Sequence, residues 1–409
     1  MMDSIRLGAP IEAMCADPIL MSPKNPKESR ENSKAVGRPV VIVVQQMTLN
    51  ERPRIRKLCE LLREKGLSFE IWKFGDDHGS APDDYVVKNL MNASWRNSNA
   101  VIRYLVWMLR VFVRAAQCRT EVRYFAVGFD SALPIACLLA PRASLLFDNI
   151  DNVSMSYAWP PVIKKLLIKL ECWVAARAEL HVNPSGRRWR WNDSNLRIVT
   201  NTPSWSAVRE AQNIASAYSR AKNGRFTIYL NGWLSQTRGI ATLLRAIEVL
   251  ESQSIQVEVI VAGRPSCTDA EILLGREYVD YLGMLSNVDA LAAYFRADLA
   301  YIFYDPALEI NRLAESQKWT DCWATGTAFV SNSEIVTLKP FVEANACFTV
   351  PYSDADSLAS LLRELAENRS ALKERVHRLR EMKFRYWDEA MSSIIDEWSA
   401  MKWRPHSGL

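Results

Sequence analysis

The stretch PVVIVVQQMTLNERPRIRKLCELLREKGLSFEIWKF (39–74) decides the fold class. It begins with a continuous β-branched run (39–46), which is typical of a strand buried on both faces of a parallel sheet. The next segment (51–66) closes with a glycine and has one apolar helical face, formed by Ile55, Leu58, Leu61 and Leu62. A second apolar strand follows at 68–74. Strand, helix and strand in this order predict a right-handed βαβ unit.

The alternation of strands and helices continues in two cycles. The first cycle runs to about residue 205, with strands predicted at 123–129, 143–149, 178–183 and 196–201 and helices near 133–140 and 160–178. The second has strands at 225–232, 255–263, 277–283 and 299–304 and helices at 239–252 and 287–298, and ends in a run of helices. We therefore predict an α/β protein of two doubly wound halves, with ligands in the cleft between them.

The composition excludes several classes of protein. A chain of 409 residues with 49% hydrophobic and 24% charged residues is typical of a soluble globular protein with two or three domains. The net charge of +5 is too small for a dedicated nucleic-acid binder. Eight scattered cysteines and only four histidines indicate reduced thiols, a cytoplasmic location and no metal centre.

Neither a signal peptide nor a membrane-spanning segment is predicted. Residues 1–36 carry prolines, lysines and serines without a continuous apolar stretch, which indicates a flexible leader. The most apolar region (103–116) is interrupted by Arg110 and Arg114. It is also shorter than the roughly 20 residues that a helix needs to cross a bilayer.

A second informative stretch is NRLAESQKWTDCWATGTAFVSNSE (311–334). Its spacing predicts a helix that carries Lys318 and Asp321 on one face and stops at Thr325-Gly326. A short buried strand follows at 328–330. The charged face is either a solvated surface ion pair or the floor of a site.

This stretch resembles the donor-site motif of retaining GT-B glycosyltransferases, the family 4-like group. One branch of that family places Asn-Arg and Asn-Lys pairs and then an acid ahead of a helix that ends in small residues. The corresponding residues here are Asn311, Arg312, Gln317, Lys318 and Asp321. Four further segments are similar to family blocks in the right order: 52–66, 230–247, 279–304 and 384–398.

The resemblance covers roughly residues 38–400 and implies a GT-B fold. The first Rossmann-like domain (37–205) would bind the acceptor and the second (206–383) the nucleotide-sugar donor. The C-terminal helix (384–409) would cross back onto the first domain.

The resemblance also implies which residues bind the donor. A nucleoside diphosphate leaving group needs cations and backbone donors, so Lys318 and Arg238, each near a predicted helix start, would meet the two phosphates. Asp321 would accept hydrogen bonds from the ribose hydroxyls. The backbone of Leu282, Gly283 and Met284 would hold the base, and the other implied donor-binding positions are Gly232, Trp233, Gly263, Asn311 and Arg312. A solvated loop arginine remains the alternative for Arg238.

The chain departs from the family pattern in the donor domain. Trp233 stands where relatives carry an arginine five residues before the basic residue, and Asp321 is one methylene shorter than the usual glutamate. Leu313 occupies the place of a second family glutamate. Spacing does not choose between Glu309 and Glu315 as its substitute.

The first domain departs further, because two family histidine positions hold Phe129-Asp130 and Asn149. The nearby acids Asp130 and Asp151 are the candidates to orient the acceptor hydroxyl or take its proton. Of the two, Asp151 is favoured because it follows a buried strand. Their alternative roles are helix caps or turn acids.

Basic residues and aromatics interleave at 95–119, 159–173 and 187–191. Basic amphipathic helices of this kind suit an anionic membrane surface. The alternative for 160–178 is a core helix with a solvated basic face. Single-stranded nucleic acid is disfavoured by the modest charge and the absence of an RNA-recognition motif.

The sequence thus predicts a metal-independent, retaining glycosyltransferase without a cofactor, whose co-substrate is a nucleotide-diphosphate sugar. The acceptor would be a lipid-linked glycan in bacterial polysaccharide assembly, and the enzyme would be cytoplasmic or peripheral on the inner face of the membrane. Two alternatives stay open. One is a nucleotide-sugar epimerase of the same fold, and the other is a non-catalytic glycosyltransferase-like subunit.

Overall fold

The computed structural model describes residues 39–45, 53–75, 85–118, 121–138, 143–189, 191, 193–217 and 225–401. The predicted leader (1–36) lies outside the described residues. Within them the chain builds two parallel sheets in one compact unit.

The first sheet has seven strands: β1 (Val40–Val44), β2 (Phe69–Phe74), β3 (Val86–Met91), β4 (Val122–Val127), β5 (Ala143–Asp148), β6 (Leu180–Asn183) and β7 (Leu196–Ile198). The second has six: β8 (Phe226–Leu234), β9 (Val257–Pro265), β10 (Val279–Tyr281), β11 (Leu299–Ile302), β12 (Ala328–Asn332) and β13 (Phe348–Val350). Their orders are β3-β2-β1-β4-β5-β6-β7 and β10-β9-β8-β11-β12-β13.

The helices that cover the first sheet or follow its strands are α1 (Pro53–Glu64), α2 (Ala100–Ala116), α3 (Phe129–Leu138), α4 (Val153–Ser156) and α5 (Pro161–Arg177). Those that follow are α6 (Trp205–Ala217), α7 (Ile240–Ser252), α8 (Thr268–Leu274), α9 (Asn287–Tyr294), α10 (Glu309–Arg312) and α11 (Gln317–Thr325). The last four are α12 (Lys339–Glu343), α13 (Ala355–Glu367), α14 (Ser370–Glu381) and α15 (Trp387–Ala400).

The prediction of two doubly wound halves is confirmed. In each sheet the strand order reverses next to the first strand, and the neighbouring strands pair in parallel. All four predicted apolar residues of α1, namely Ile55, Leu58, Leu61 and Leu62, are buried. Two strands were not predicted: β3 lies at the sheet edge, and β13 interrupts the expected run of C-terminal helices.

The last helix contributes to the first core. Trp387, Met391, Ile394, Ile395 and Trp398 of α15 pack with one face of β1 and with α1. The other face of the first sheet is covered by α2, α3 and α5, which share a second core cluster. The first sheet is therefore covered on both sides, as a parallel sheet requires.

Among the described residues, no helix combines the length and the hydrophobicity that are needed to cross a bilayer.

Candidate functional site

A cleft of about 1030 Å³ lies between the two sheets. One wall is formed by α1, of which Arg56, Lys57 and Glu60 line the cleft. The other wall is formed at the carboxyl ends of β8 and β9 and by the turn after β10, with Gly232, Trp233, Gly263 and Met284. Ligands of doubly wound sheets bind at this edge, so the cleft is the candidate site.

Glycines bring the backbones close together on the second wall. Gly232, Gly263 and Gly283 have φ values of 99°, 128° and 69°, which residues with a β-carbon rarely adopt. A β-carbon at Gly263 would lie 1.8 Å from the Gly232 carbonyl oxygen. Position 263 therefore accepts only glycine, and the surface that it forms presents backbone to the cleft.

Lys318 and Arg238 converge on one aromatic ring beside this glycine wall. The Arg238 guanidinium carbon lies 4.3 Å from the Tyr304 ring centroid, and Lys318 Nζ lies 5.8 Å from it. Lys318 Nζ also lies close to Gly232, 3.2 Å from where a β-carbon would stand there. The two implied phosphate ligands are thus brought together by a tyrosine that the sequence reasoning missed.

Their position follows from local structure. Arg238 immediately precedes α7, whose N-cap Gly239 has φ 64°. Lys318 lies in the first turn of α11, where the Ser316 side chain accepts a hydrogen bond from its backbone N. Tyr304 Oη donates to Ser316 Oγ over 2.6 Å, which fixes the ring between the two helix starts.

The cluster carries excess positive charge. Burial acts to raise the pKa of Tyr304, but the charges of Lys318 and Arg238 and the hydrogen bonds with Ser316 and Lys318 bring it below its ordinary value. The buried Nε and Nη1 of Arg238 make no hydrogen bond within the described structure. Among the described residues, neither Arg238 nor Lys318 forms an ion pair with a carboxylate.

Asp321 is not part of a surface ion pair with Lys318. Its side chain lies inside the protein, the residue being 6% exposed. Burial raises the pKa of Asp321 to about 7, against the opposing charges of Lys57 and Lys318 and a hydrogen bond from Gln317. The Gln317 Nε2 donor lies 3.4 Å from Asp321 Oδ1.

Lys57, which was not predicted as a site residue, acts electrostatically on Asp321 from α1 of the first half. Its Nζ donates to the Thr202 carbonyl over 2.9 Å and lies 5.1 Å from the Trp387 ring centroid. Burial and the neighbouring Arg54 lower the pKa of Lys57 to about 7, while Asp321 acts to raise it. No sequence signal could have revealed this pair, because it joins elements of different sheets.

The other implied donor positions divide into two groups. Leu282, Gly283 and Met284 form the turn after β10, and Gly263 N donates to the Gly283 carbonyl over 2.7 Å. Trp233 is 61% exposed and reaches into the cleft, where a family arginine was expected.

Asn311 and Arg312 lie on α10 and not on the helix that carries Lys318. The Asn311 amide donates to the Asp305 carbonyl over 3.0 Å and so holds its own loop. Arg312 is exposed.

The two acids that spacing could not separate have different surroundings. Glu309 forms an ion pair with Lys164 of α5. Burial raises the pKa of Glu315 to about 7, although a hydrogen bond with Ser185 and the charges of Arg188 and Arg187 lower it. Leu313, at the family glutamate position, is buried and its carbonyl accepts from Arg188 Nε over 2.7 Å.

In the first half, Asp130 lies in the first turn of α3 and Asp151 follows β5. The Asp151 side chain is 59% exposed and accepts from Arg188 Nη1 over 3.1 Å. Both amide atoms of the buried Asn149 make no hydrogen bond within the described structure. Asp151 is thus accessible, and Arg188 links it to the second half through Leu313.

Two residues of the predicted basic aromatic stretch 187–191 face the protein interior. Arg188 and Trp189 are buried, and the Trp189 ring packs edge-on against His181 with centroids 4.3 Å apart. Arg188 donates hydrogen bonds inside the protein, to the carbonyls of Leu313 and Ile150.

No protein-family model matches the sequence, and no curated protein matches it. Solved structures do match it. A sucrose-phosphate synthase from Thermosynechococcus elongatus superposes with a TM-score of 0.59 at 15% identity, over 88% of this chain and 98% of that enzyme. An alpha,alpha-trehalose-phosphate synthase (UDP-forming) from Burkholderia vietnamiensis gives 0.62 at 12% identity, over 89% and 100%. The chain has the GT-B fold.

A further GT-B structure that is similar is a protein assigned as a UDP-N-acetylglucosamine 2-epimerase from Listeria monocytogenes. Its TM-score is 0.61 at 12% identity, over 90% of this chain and 98% of that one. The GT-B fold expected from the five sequence motifs is confirmed. At these identities the likeness concerns the fold alone.

Within the described residues, no group of three or more His, Cys, Asp or Glu side chains could hold a metal ion.

Proposed function

We propose that this protein is a glycosyltransferase that transfers a sugar from a nucleoside-diphosphate sugar with retention of configuration. The observation that carries the proposal is the pair of cations, Arg238 and Lys318, gathered over Tyr304 beside Gly232 at the wall of the cleft. A diphosphate supplies the negative charge that this pair lacks. The order of the five family-like segments supports the same reading.

The chemistry follows from where charge develops. When the glycosidic bond breaks, negative charge grows on the diphosphate leaving group, and preorganised cations stabilise it most in that state. The side chains of Arg238 and Lys318 supply the positive charge that stabilises the leaving group, so no metal ion is required for the step. In the retaining reaction proposed here, the leaving phosphate also accepts the proton of the acceptor hydroxyl.

Asp321 is proposed to bind the ribose of the donor, with Leu282, Gly283 and Met284 beside the base. Ribose contacts exist in the ground state and the transition state alike. Loss of the Asp321 carboxylate should therefore raise the donor KM more than it lowers kcat.

The acceptor side is assigned to the first half. Asp151 and Asp130 are proposed to orient the acceptor hydroxyl, and Asp151 is favoured because its carboxylate is exposed and held by Arg188. The acceptor is proposed to be a lipid-linked glycan of polysaccharide assembly, used by an enzyme that works in the cytoplasm or on the inner face of the membrane.

Binding of nucleoside diphosphates tests the donor site. Titration calorimetry with UDP, GDP, ADP and dTDP should show binding of at least one of them. Lys318→Ala should weaken it about 10- to 100-fold, as expected for loss of a charge-assisted hydrogen bond of about 1.5–3 kcal/mol. Lys339→Ala, at an exposed lysine of α12, is the matched control and should bind like the wild type. If no nucleoside diphosphate binds, the donor site is wrongly assigned.

A structural likeness to the Listeria protein favours an epimerase as the second candidate. Incubation with a bound nucleotide sugar separates the two. An epimerase converts the sugar while it stays nucleotide-linked, whereas a glycosyltransferase releases the nucleoside diphosphate only with an acceptor. Binding with neither reaction would indicate the non-catalytic subunit.

A further inference from the structure

Two helices of the first half present apolar side chains to solvent. On α2 the exposed apolar residues are Val101, Ile102, Leu105, Leu109, Phe112 and Val113. Four of them follow a spacing of three, four and three residues (102, 105, 109, 112), which places them along one helical face. Trp107 and Val111 of the same helix are buried on the opposite side. The helix is therefore apolar both toward the core and away from it.

The second helix has a similar outward face. On α5 the exposed apolar residues are Val162, Ile163, Leu166 and Trp173, of which Val162 is 79% exposed. The buried side of this helix carries Glu171, Val174 and Ala175.

The two faces point in the same direction. Trp107 of α2 and Val174 of α5 belong to one core cluster on one side of the first sheet, with α3 between the helices. The Tyr104 side chain on α2 lies near Tyr157, which is exposed just before α5. The exposed apolar side chains of α2 and α5 thus lie on the same side of the first sheet, and together they are named here the α2–α5 face. Exposed apolar side chains gathered on one side of a protein mark a candidate interaction site.

The charges around the α2–α5 face identify its partner. The charged residues of α2 are Arg103, Arg110 and Arg114, with no acid. Those of α5 are Lys164, Lys165, Lys169, Glu171 and Arg177, and the single acid is fully buried. Trp173 and Tyr157 add aromatic side chains, which favour the boundary between lipid and water. Apolar side chains flanked by cations are complementary to an anionic bilayer surface.

A second copy of the chain fits this face less well. A symmetric dimer through the α2–α5 face would bring the same cations of two chains together, and like charges across an interface are unfavourable.

The helices of the α2–α5 face begin at the same edge of the first sheet as α1, which lines the cleft. The strands of the first sheet are parallel, so their carboxyl ends share one edge, and α2, α3 and α5 each begin after a strand at that edge. The first turns of α2 and α5, with Val101, Ile102, Val162 and Ile163, therefore lie nearest the cleft. Lys164 in the first turn of α5 is ion-paired with Glu309 of the second half.

We propose that the α2–α5 face seats the protein on an anionic membrane, by shallow insertion of its apolar side chains. The polar head of a lipid-linked acceptor then enters the cleft across the first turns of α2 and α5. This second step rests on the proposed glycosyltransferase function, whereas membrane binding itself does not.

Co-sedimentation of the full chain with vesicles tests the proposal. Vesicles of phosphatidylcholine alone should bind weakly, and an equal mixture with phosphatidylglycerol should bind strongly. Leu109→Glu and Leu166→Glu should each lower binding to the mixed vesicles about tenfold or more, because each removes the insertion of one leucine side chain. Arg110→Glu should weaken binding to the mixed vesicles and leave binding to the neutral ones unchanged.

Ile272→Glu, at an exposed apolar residue of α8 in the second half, is the control and should sediment like the wild type. The proposal is overturned if the wild type sediments with neither vesicle, or if the two leucine variants sediment as the wild type does. It is equally overturned if the wild type is a dimer in solution without vesicles, Leu109→Glu is a monomer and vesicles bind neither.

Nucleoside diphosphate binding measured without vesicles keeps the two proposals apart. All these variants should bind nucleotide as the wild type does. A wild type that binds nucleotide but sediments with neither vesicle refutes only the membrane surface. A wild type that sediments but binds no nucleotide refutes only the donor site.

Discussion

Lys57 lies on α1 of the first half and Asp321 on α11 of the second, yet the charge of each favours the charged form of the other: Asp321 raises the pKa of Lys57, and Lys57 lowers the pKa of Asp321. Burial acts more strongly in the opposite direction on both, so both pKa values lie at about 7. Burial and the opposite charge therefore act against each other on both side chains, between α1 of the first half and α11 of the second.

The raised pKa of Asp321 predicts a pH-dependent stability. Between about pH 4 and pH 7 the folded state holds a proton on Asp321 that the unfolded state has released. The free energy of unfolding contributed by this group is thus fully present below pH 4 and is lost as the pH rises through 7. Urea unfolding of wild type and Asp321→Asn should show the wild type losing stability relative to the variant across this range. Parallel pH profiles would contradict the assignment.

Gly263 and Gly283 offer a matched pair of substitutions in the cleft wall. Both have positive φ, so alanine is strained by about 1–2 kcal/mol at either position. Only at Gly263 would the new β-carbon overlap another group, the Gly232 carbonyl, whereas none lies within 4 Å at Gly283. Gly263→Ala should lower the melting temperature by much more than Gly283→Ala and abolish nucleotide binding. Equal effects of the two substitutions would show that the Gly232 carbonyl does not lie close enough to position 263 to exclude a β-carbon.

The buried ion pair between Arg54 and Asp148 should matter for stability. Both oxygens of Asp148 accept from Arg54 over 2.8 Å, and Arg54 also donates to Asn201 over 2.8 Å. Asp148→Asn leaves a buried cation incompletely paired and should cost about 3–5 kcal/mol in urea unfolding.

The exposed pair of Arg56 and Glu60 on the same helix is the control for this measurement. Glu60→Gln should change the free energy of unfolding by about 0.5 kcal/mol or less, since exposed pairs contribute little. A similar small change for Asp148→Asn would mean that water reaches the Arg54 site.

Turnover should separate the two acids of the first half. If Asp151 orients the acceptor hydroxyl, Asp151→Asn should lower kcat about 10²- to 10⁴-fold with the donor KM unchanged. Asp130→Asn, in the first turn of α3, should have the smaller effect. Steady-state kinetics with the acceptor identified by product analysis measures both. Full turnover by both variants would leave the donor phosphate as the sole base.

Much of the fold was predictable because its strands are continuous apolar runs. β1 and β5 are buried along nearly their whole length, as are residues 259–262 of β9, and such runs leave a strong signal. β3 lacks that signal, since its sequence VVKNLM includes a lysine and an asparagine and most of it is partly exposed at the sheet edge. β13 is only three residues long and lies between two helices in the sequence, α12 and α13.

Only those residues of the candidate site that lie in local sequence motifs could be predicted. Lys318 and Arg238 were found through family motifs and helix starts. Tyr304 was missed although it is the last residue of a predicted strand (299–304), and the rule that site residues gather at the carboxyl ends of strands would have singled it out. Lys57 and Arg188 act across the two halves, and contacts between segments more than 100 residues apart leave no trace in one sequence.

The position of α15 has a consequence for how the protein is made. The first sheet leaves the ribosome early, but its core on one side stays open until Trp387, Met391 and Trp398 have been synthesised. At about 5–20 residues per second, the interval after residue 205 lasts about 10–40 s. During that time the apolar faces of β1 and α1 have no permanent cover, and they are the surfaces on which a nascent-chain chaperone would act. A chain that stops before α15 would contain the whole second sheet but would lack part of the core of the first half.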